Sequence, residues 1–200
     1  MQLTDMVRLA DTICDYSWVD DRPEWLRKTD SEYHPRSGSN ECAFYYKFLF
    51  ALAQQMQPSL IVELGTGTAA ISAFHFATGC PTARVITVDT SDVMLTAIAE
   101  SPAPHIEGWV GHSLALYSRF VSELQDPIDI LFLDTSHVYE ETVQEYQYYR
   151  KLMKRGGIML FDDVASASPP HFWEIVEEPK AFHPVLHDHC GFGIAIVGES

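Results

Sequence analysis

The sequence predicts an α/β fold in which a mostly parallel sheet lies between helices and closes with an antiparallel C-terminal hairpin. Three observations support this prediction. Short apolar segments alternate with helical patterns along most of the chain, several of these segments end in a carboxylate, and the last two are joined by a very short link. Alternating strands and helices favour a doubly wound, Rossmann-like sheet, and a short link favours an antiparallel pair.

The composition limits the kind of protein and ligand. The chain has 200 residues with a formal net charge of −15, which suits a single domain over 1–200, made of a helix and arm over 1–40 and an α/β core over 41–200. The negative charge argues against nucleic acid or an anionic membrane as a partner. Scattered cysteines and the lack of a leader-like or membrane-spanning segment predict a cytoplasmic protein with a small-molecule ligand.

The first forty residues predict one helix and an irregular arm. Apolar residues at helical spacing predict an amphipathic helix over about 4–16, whose apolar stripe could pack on this chain or on a second copy in a homo-oligomer. Residues 17–40 are rich in Asp, Arg, Pro, Ser and Gly, which indicates an irregular segment. Its aromatic residues would either form part of a lid over a substrate or anchor the arm to the core.

The core begins with a helix over 40–56 and continues into a strand, a tight loop and a second helix. The apolar strand Leu60–Leu64 leads into Gly65-x-Gly67, and small residues follow. The glycines allow a sharp turn and close approach to a ligand, while the first amides of the next helix face the crevice. Because Gly65-x-Gly67-x-x-Ala70 also satisfies the dinucleotide fingerprint, the loop alone does not decide which nucleotide-like cofactor binds.

The rest of the chain continues the alternation. The remaining predicted strands are Arg84–Val88, His105–Val110, Ile128–Leu133, Ile158–Phe161, Ala181–His187 and Phe192–Val197. The remaining predicted helices cover about 70–78, 92–100, 113–125 and 139–154, with a short helical stretch over 172–176. The sequence shows no internal repeat, which agrees with one domain.

Carboxylates stand at the ends of four predicted strands, and they are Glu63, Asp89, Asp134 and the pair Asp162-Asp163. Ligands of doubly wound sheets bind outside the carboxyl ends of the strands, so these acids are expected at the ligand edge. Asp89, with Thr90 and Ser91 behind it, is placed to bind ribose hydroxyls. Asp89 or Ser91 could instead cap the next helix, and both roles could be combined. Five carboxylates at one edge would repel each other, and a hard cation such as Mg²⁺ would offset their charge.

Four motifs follow the predicted strands, and they are Glu63–Thr68, Asp89, Gly111–Ser113 and Asp134–Tyr139. Their combination resembles class I S-adenosylmethionine-dependent methyltransferases, and most closely the catechol-O-methyltransferase-like enzymes and their relatives in antibiotic tailoring. The resemblance covers roughly residues 40–198. It implies S-adenosylmethionine (SAM) as the cofactor and a hydroxyl group of a small molecule as the methyl acceptor.

The resemblance also implies roles for individual residues in cofactor binding. The residues that would bind SAM are Glu63, Gly65, Thr66, Gly67, Asp89, Thr90, His112 and Ser113. The glycine loop would line the methionine and ribose part, and Asp89 would bind the ribose hydroxyls. His112 and Ser113 would border the adenine.

The same resemblance implies a catalytic and metal site. Asp134, Asp162 and Asp163 match the acids that bind magnesium, although catechol-type members usually carry Asp-Asn at the second position. His137 matches the position of the general-base lysine, and a neutral imidazole can accept a proton at physiological pH. The implied reaction is Mg²⁺-assisted O-methylation, in which His137 deprotonates a hydroxyl bound near Asp134.

Other interpretations remain open. His137 and the pair Asp162-Asp163 could instead stabilise local backbone structure. Transfer could be independent of metal, and the acceptor could be a nitrogen atom. A nicotinamide-dependent oxidoreductase would use the glycine loop and Asp89 but would leave the later acids without a role, and a non-catalytic relative would bind cofactor without turnover.

Overall fold

The computed structural model of the protein describes residues 1–33, 44–164, 172–184, 186 and 191–198. Its strands are β1 (Leu60–Leu64), β2 (Arg84–Asp89), β3 (Ile106–Val110), β4 (Ile128–Leu133), β5 (Met153–Phe161), β6 (Lys180–His183) and β7 (Phe192–Ile196). Its α-helices are α1 (Leu3–Cys14), α2 (Glu24–Tyr33), α3 (Phe44–Met56), α4 (Ile71–Gly79), α5 (Val93–Glu100), α6 (Ser113–Glu123), α7 (Tyr139–Tyr149) and α8 (Phe172–Ile175).

The described strands form one sheet in the order β3-β2-β1-β4-β5-β7-β6. β1 to β5 run parallel, whereas β7 is antiparallel to both β5 and β6. The predicted α/β fold, with a mostly parallel sheet and an antiparallel C-terminal hairpin, is confirmed. The direction of winding reverses between β1 and β4, which is where ligands bind in sheets of this kind.

Helices cover both faces of the sheet because successive strand residues enter two different apolar cores. In β4, Ile130 and Phe132 join the core that includes α1, α3 and α4. Leu131 and Leu133 join the core that includes α6, α7 and α8. The apolar run Ile130–Leu133 is therefore as expected for a parallel strand buried on both faces. No helix in the described ranges is long and apolar enough to cross a membrane.

The apolar stripe of α1 packs against its own chain. Met6, Leu9, Ala10 and Ile13 are buried in the core that they share with α3 and α4. The helix predicted over 4–16 is thus confirmed, and its stripe is used within the chain. Association with a second copy stays a prediction.

The irregular structure predicted over 17–40 is wrong for α2. Leu26 is fully buried, and the ring of Trp25 packs edge-on against Phe74 of α4 with centroids 6.2 Å apart. These contacts stabilise a helix that is otherwise rich in charged residues, so tertiary packing outweighs local composition. Residues 34–43, with the rest of the predicted arm and the predicted start of the next helix, lie outside the described residues.

The boundary between α7 and β5 also differs from the prediction. The helix predicted to 154 ends at Tyr149 and is followed by a single 3-10 turn, and the strand predicted from Ile158 begins at Met153. The pairing of β5 with β4 shifts register before Ile158, and Gly156 in this stretch has a φ of 75°. A bulged strand start with charged residues and two glycines has the same sequence pattern as a helix end.

The first strand of the C-terminal hairpin is shorter than predicted. β6 ends at His183, and residues 185 and 187–190 lie outside the described residues. The antiparallel pairing itself is confirmed, with Ala181 opposite Ile194.

Candidate active site

A cavity of about 520 Å³ lies at the carboxyl ends of β1, β2, β3 and β4, beside the point where the winding reverses. The N-terminal parts of α3, α4, α6 and α7 complete its wall. Eight residues predicted from the sequence line it, and they are Gly65, Thr66, Gly67, Asp89, Thr90, His112, Ser113 and Asp134. The structure therefore brings most of the predicted cofactor residues to one place.

Gly65 holds the glycine loop against β2 and β4, the strands on either side of β1. Its φ is +94°, and a Cβ on this residue would lie 1.7 Å from the carbonyl oxygen of Asp134. The amides of Gly65 and Thr66 both donate to the carbonyl of Val88 in β2, at 2.9 and 3.1 Å. The loop thus presses against the end of β4 and is bound to β2, with its backbone in the cavity wall.

The N-terminus of α4 opens directly into the cavity. Its N-cap residue, Ala70, has a left-handed φ of 53°, and no side chain bonds to this cap. Ala70, Ile71 and Ser72 line the cavity. The N–H groups of a first helical turn and the positive end of the helix dipole favour a negatively charged group here, such as a ligand carboxylate.

Asp89 is held by backbone amides at both carboxylate oxygens. The N–H of Gly67 donates to Oδ2 at 2.9 Å, and the N–H of Ser91 donates to Oδ1 at 2.9 Å. Each carboxylate oxygen has two lone pairs, so both can accept a further hydrogen bond from a hydroxyl group in the cavity. The helix-cap alternative does not describe Asp89, since the hydroxyl of Ser91 accepts the bond from Val93 N–H at 3.3 Å.

Glu63 lies beneath the glycine loop and outside the cavity lining. Its side chain is fully buried and accepts hydrogen bonds from Ser72 Oγ in α4 and Thr87 Oγ1 in β2. Thr87 Oγ1 is also 2.5 Å from Thr66 Oγ1. This network joins β1, β2, α4 and the loop, and it supports the loop from behind. Direct contact of Glu63 with a cofactor stays a prediction.

Burial raises the pKa of Glu63 to about 7, although the hydrogen bonds from Ser72 and Thr87 oppose the shift. Because this pKa lies above the unfolded value near 4.5, its contribution to stability is full below that value and is lost as pH rises through the folded pKa. Between pH 5 and pH 8 we expect wild-type protein to lose about 2 to 3 kcal/mol of unfolding free energy relative to Glu63→Gln.

Urea unfolding of both proteins across this pH range measures the difference. Other ionisable groups cancel in the comparison, since they are common to both proteins. If the unfolding free energies of wild-type protein and Glu63→Gln changed with pH in parallel, Glu63 would titrate like an exposed carboxyl.

His137 lies between two carboxylates at the edge of the cavity. Its Nε2 is 3.6 Å from Asp134 Oδ1 and 3.6 Å from Asp163 Oδ2. The side chain of His137 is 30% exposed, which leaves it accessible to a small molecule. The ring is thus placed between the end of β4 and the segment that follows β5.

The backbone at this cluster is unusual as well. His137 and Asp163 both have a φ of 55°, in the left-handed region. For residues with a side chain this conformation costs on the order of 1 kcal/mol or more and persists only where the surroundings impose it. Left-handed backbone at two residues in contact is typical of a functional site.

Comparison with known families decides the class of the protein. Residues 62–164 match the family model of a methyltransferase domain, which is more than half of the chain. The chain belongs to the methyltransferase-domain family. The matched region contains the glycine loop, Asp89, Asp134 with His137, and the acids after β5. The predicted resemblance to class I methyltransferases is confirmed at this level.

Solved methyltransferase structures share the fold of this methyltransferase. An O-methyltransferase from Bacillus cereus in complex with SAH has a TM-score of 0.71 and 16% identity, covering 98% of this chain and 100% of that chain. TomG is an O-methyltransferase from Streptomyces achromogenes involved in tomaymycin synthesis, solved in complex with SAM. It has a TM-score of 0.71 and 19% identity, covering 98% of this chain and 99% of that chain. The methyltransferase PaMTH1 from Podospora anserina, bound to SAH, has a TM-score of 0.68 and 16% identity, covering 100% of this chain and 98% of that chain. No match was found among curated proteins.

The acids predicted to bind Mg²⁺ in this methyltransferase form only part of a metal site. Asp134 and Asp163 converge on one nitrogen of His137, and Asp162 borders a small neighbouring void with His137. Within the described ranges, no group of three or more His, Cys, Asp or Glu residues is arranged to hold a metal ion. Magnesium requires oxygen ligands in near-octahedral geometry. The imidazole of His137 lies between two of the predicted ligands, Asp134 and Asp163. Metal binding therefore stays a prediction.

Two tyrosines of the methyltransferase, Tyr45 and Tyr46, line the cavity from the first turn of α3. Burial raises the pKa of Tyr45 well above its usual value, and Tyr46, Asp134 and Asp162 raise it further. The hydroxyl of Tyr45 therefore remains protonated. Tyr46 stacks on His75 of α4, with ring centroids 5.1 Å apart, so these aromatics also pack the α3–α4 contact.

Four further residues line the same cavity, although the sequence pattern does not mark them as functional, and they are Thr135, Ser136, Glu141 and Glu145. Glu145 is buried and accepts hydrogen bonds from Ser113 Oγ and Thr135 Oγ1, and burial raises its pKa. Glu141 accepts a bond from Ser136 Oγ at 2.5 Å. Glutamates four residues apart lie on one face of a helix, and this spacing is the sequence feature that could have indicated a shared role.

Proposed function

We propose that this methyltransferase transfers a methyl group from SAM to a hydroxyl group of a small molecule. The observation that carries the proposal is the convergence of two sets of residues at one edge of the sheet. The glycine loop, the α4 N-terminus and Asp89 form one set, and Asp134 with His137 forms the other. The cavity volume of about 520 Å³ suits a cofactor-sized ligand, since such pockets measure roughly 300 to 1,000 Å³.

The residues of this wall suit the groups of SAM. The α4 N-terminus suits its carboxylate. Asp89 retains acceptor positions for the ribose hydroxyls, and His112 and Ser113, which line the same cavity, would border the adenine. The solved neighbours support this cofactor, since one contains SAM and two contain SAH. Two of them are O-methyltransferases by name, which supports an oxygen acceptor.

His137 is the proposed general base. SAM, when bound, supplies a methyl group that a deprotonated acceptor oxygen can attack. His137 Nε2 would remove the hydroxyl proton, and Asp134 and Asp163 would stabilise the positive charge on the ring. Both carboxylates also orient the imidazole towards the acceptor, so that much of the rate would come from positioning.

Magnesium assistance is the finer part of the proposal and rests on the family resemblance. A Mg²⁺ ion held by Asp134, Asp162 and Asp163 would orient the hydroxyl and lower its pKa. Turnover that falls in EDTA and returns with added Mg²⁺ would support this ion. Full turnover in EDTA would overturn it and leave deprotonation to His137.

The acceptor class is tested with methyl-labelled SAM and a panel of small hydroxylated compounds, each paired with its amine analogue. We expect label on the hydroxylated compounds, formation of SAH, and no label on the matched amines. Transfer confined to the amines would replace the oxygen acceptor by nitrogen. Binding of SAM without transfer to any member of a broad panel would favour a non-catalytic relative.

A further inference from the structure

One face of α7 is bonded to the start of α6 and to the segment after β4, in the wall of the cavity. Glu145 accepts hydrogen bonds from Ser113 Oγ at the start of α6 and from Thr135 Oγ1 after β4, the latter at 2.7 Å. One turn earlier, Glu141 accepts a bond from Ser136 Oγ at 2.5 Å. All five residues line the cavity. Glu145 is only 1% exposed, so its contacts lie behind the surface that a ligand would touch.

These bonds determine whether the hydroxyls of Ser113, Thr135 and Ser136 donate to a ligand or accept from it. A serine or threonine hydroxyl has one proton to donate and two lone pairs that accept. In these three hydrogen bonds the glutamate oxygens are the acceptors, so each of the three hydroxyls commits its proton to a glutamate. The free sides of the hydroxyl oxygens therefore present lone pairs, and these three wall residues act as acceptors.

His112 follows the same pattern at the rim. Its Nδ1 accepts a hydrogen bond from Leu114 N–H at 3.3 Å, which places the proton of the neutral ring on Nε2. That nitrogen is 3.8 Å from Glu141 Oε2. The ring proton of His112 is thus also directed towards a glutamate.

From this arrangement we infer that Glu141 and Glu145 make the cavity selective for an adenine base over a hypoxanthine base. The inference rests on the proposed function, which places the adenine of SAM beside His112 and Ser113. The exocyclic amino group of adenine donates hydrogen bonds to acceptors in the wall. Hypoxanthine carries a carbonyl oxygen at that position and a proton on the neighbouring N1, so an acceptor would face the acceptors of the wall where the amino group of adenine donates. We expect the hypoxanthine analogue to bind roughly 10- to 100-fold more weakly.

The test compares S-adenosylhomocysteine (SAH) with S-inosylhomocysteine, in which a carbonyl oxygen replaces the amino group of the base and the neighbouring N1 carries a proton. Calorimetry gives both affinities for the wild-type protein, Glu145→Gln, Glu141→Gln and the control Glu140→Gln, an exposed residue of the same helix. A glutamine amide can donate to a hydroxyl oxygen, which releases a hydroxyl proton towards the ligand. The affinity ratio is therefore expected to fall below about fivefold in Glu145→Gln, to fall less in Glu141→Gln, and to stay at the wild-type value in Glu140→Gln.

Three results would overturn the inference. Equal binding of the two compounds by the wild-type protein would remove the selectivity itself. Equal losses for both compounds in Glu145→Gln and in Glu141→Gln, with the ratio unchanged, would reduce the glutamates to structural support. Failure of the folded wild-type protein to bind either compound would overturn the proposed cofactor, and with it this inference. If Glu145→Gln does not fold, Glu141→Gln at the half-exposed rim carries the comparison.

Discussion

Replacing Gly65 with alanine is expected to abolish cofactor binding and to lower the free energy of unfolding by more than about 3 kcal/mol. The added Cβ would lie 1.7 Å from the carbonyl oxygen of Asp134 and 3.0 Å from the amide nitrogen of Thr135. Either the glycine loop or the end of β4 must move, and both carry residues of the cavity wall. A φ of +94° adds strain for any residue with a side chain.

Gly67→Ala is the matched control for stability. Its φ is +63°, but a Cβ there meets no atom of the described residues within 4 Å, so the cost is limited to backbone strain of about 1 kcal/mol. Urea unfolding measures both variants, and calorimetric titration with SAH measures the binding of Gly65→Ala. Similar losses of stability in both variants would contradict the importance of the contact between Gly65 and Asp134.

Replacing His137 with glutamine is expected to lower kcat by about 10²- to 10⁴-fold and to leave the affinity for SAH nearly unchanged. Glutamine retains a polar side chain but cannot serve as a base. His137 lies beside Asp134 and Asp163 and outside the lining of the cofactor cavity, so its loss should affect chemistry more than cofactor binding. Turnover at saturating acceptor, together with SAH titration, separates the two effects.

His105→Gln is the matched control for this substitution. His105 has the same φ of 55° as His137 but is exposed and precedes β3, at the other end of the sheet. A change in turnover that came only from strained backbone would appear in both variants. Near-normal kcat in His137→Gln, or a loss of kcat that is matched by the loss of SAH affinity, would remove His137 as the base.

The parts of the site that follow from sequence are those at the ends of strands. Gly65, Asp89 and Asp134 each end or follow a clear apolar strand, and a parallel sheet brings such residues to one edge. The structure places all three at one cavity. The rule needs only the strand boundaries, which the apolar runs of β1, β2 and β4 define well.

Glu63 shows where this rule stops. Two hydroxyl groups, 9 and 24 residues away in sequence, bind its carboxylate and hold it behind the loop. Whether a carboxylate at a strand end faces solvent or a buried network depends on such partners, which no local pattern identifies. The same limit applies to Glu145, since its partner Ser113 begins α6 and its partner Thr135 follows β4.

The errors in secondary structure have a related cause. Trp25 and Leu26 make α2 a helix through packing on the core, although the surrounding composition indicates a loop. The start of β5 is a strand because it pairs with β4, although its charged residues and glycines resemble a helix end. In both places a contact with a distant element outweighs the local preference.

Calorimetric titration of the wild-type protein with SAM, with a nicotinamide dinucleotide as the comparison ligand, tests the assignment of the cavity. The Gly65-Gly67 loop and Asp89 are compatible with either cofactor, so the two titrations distinguish them. We expect one SAM molecule to bind per chain with a Kd in the micromolar range and no measurable binding of the dinucleotide. Binding of the dinucleotide without binding of SAM would contradict the proposed methyl transfer and assign the cavity to an oxidoreductase.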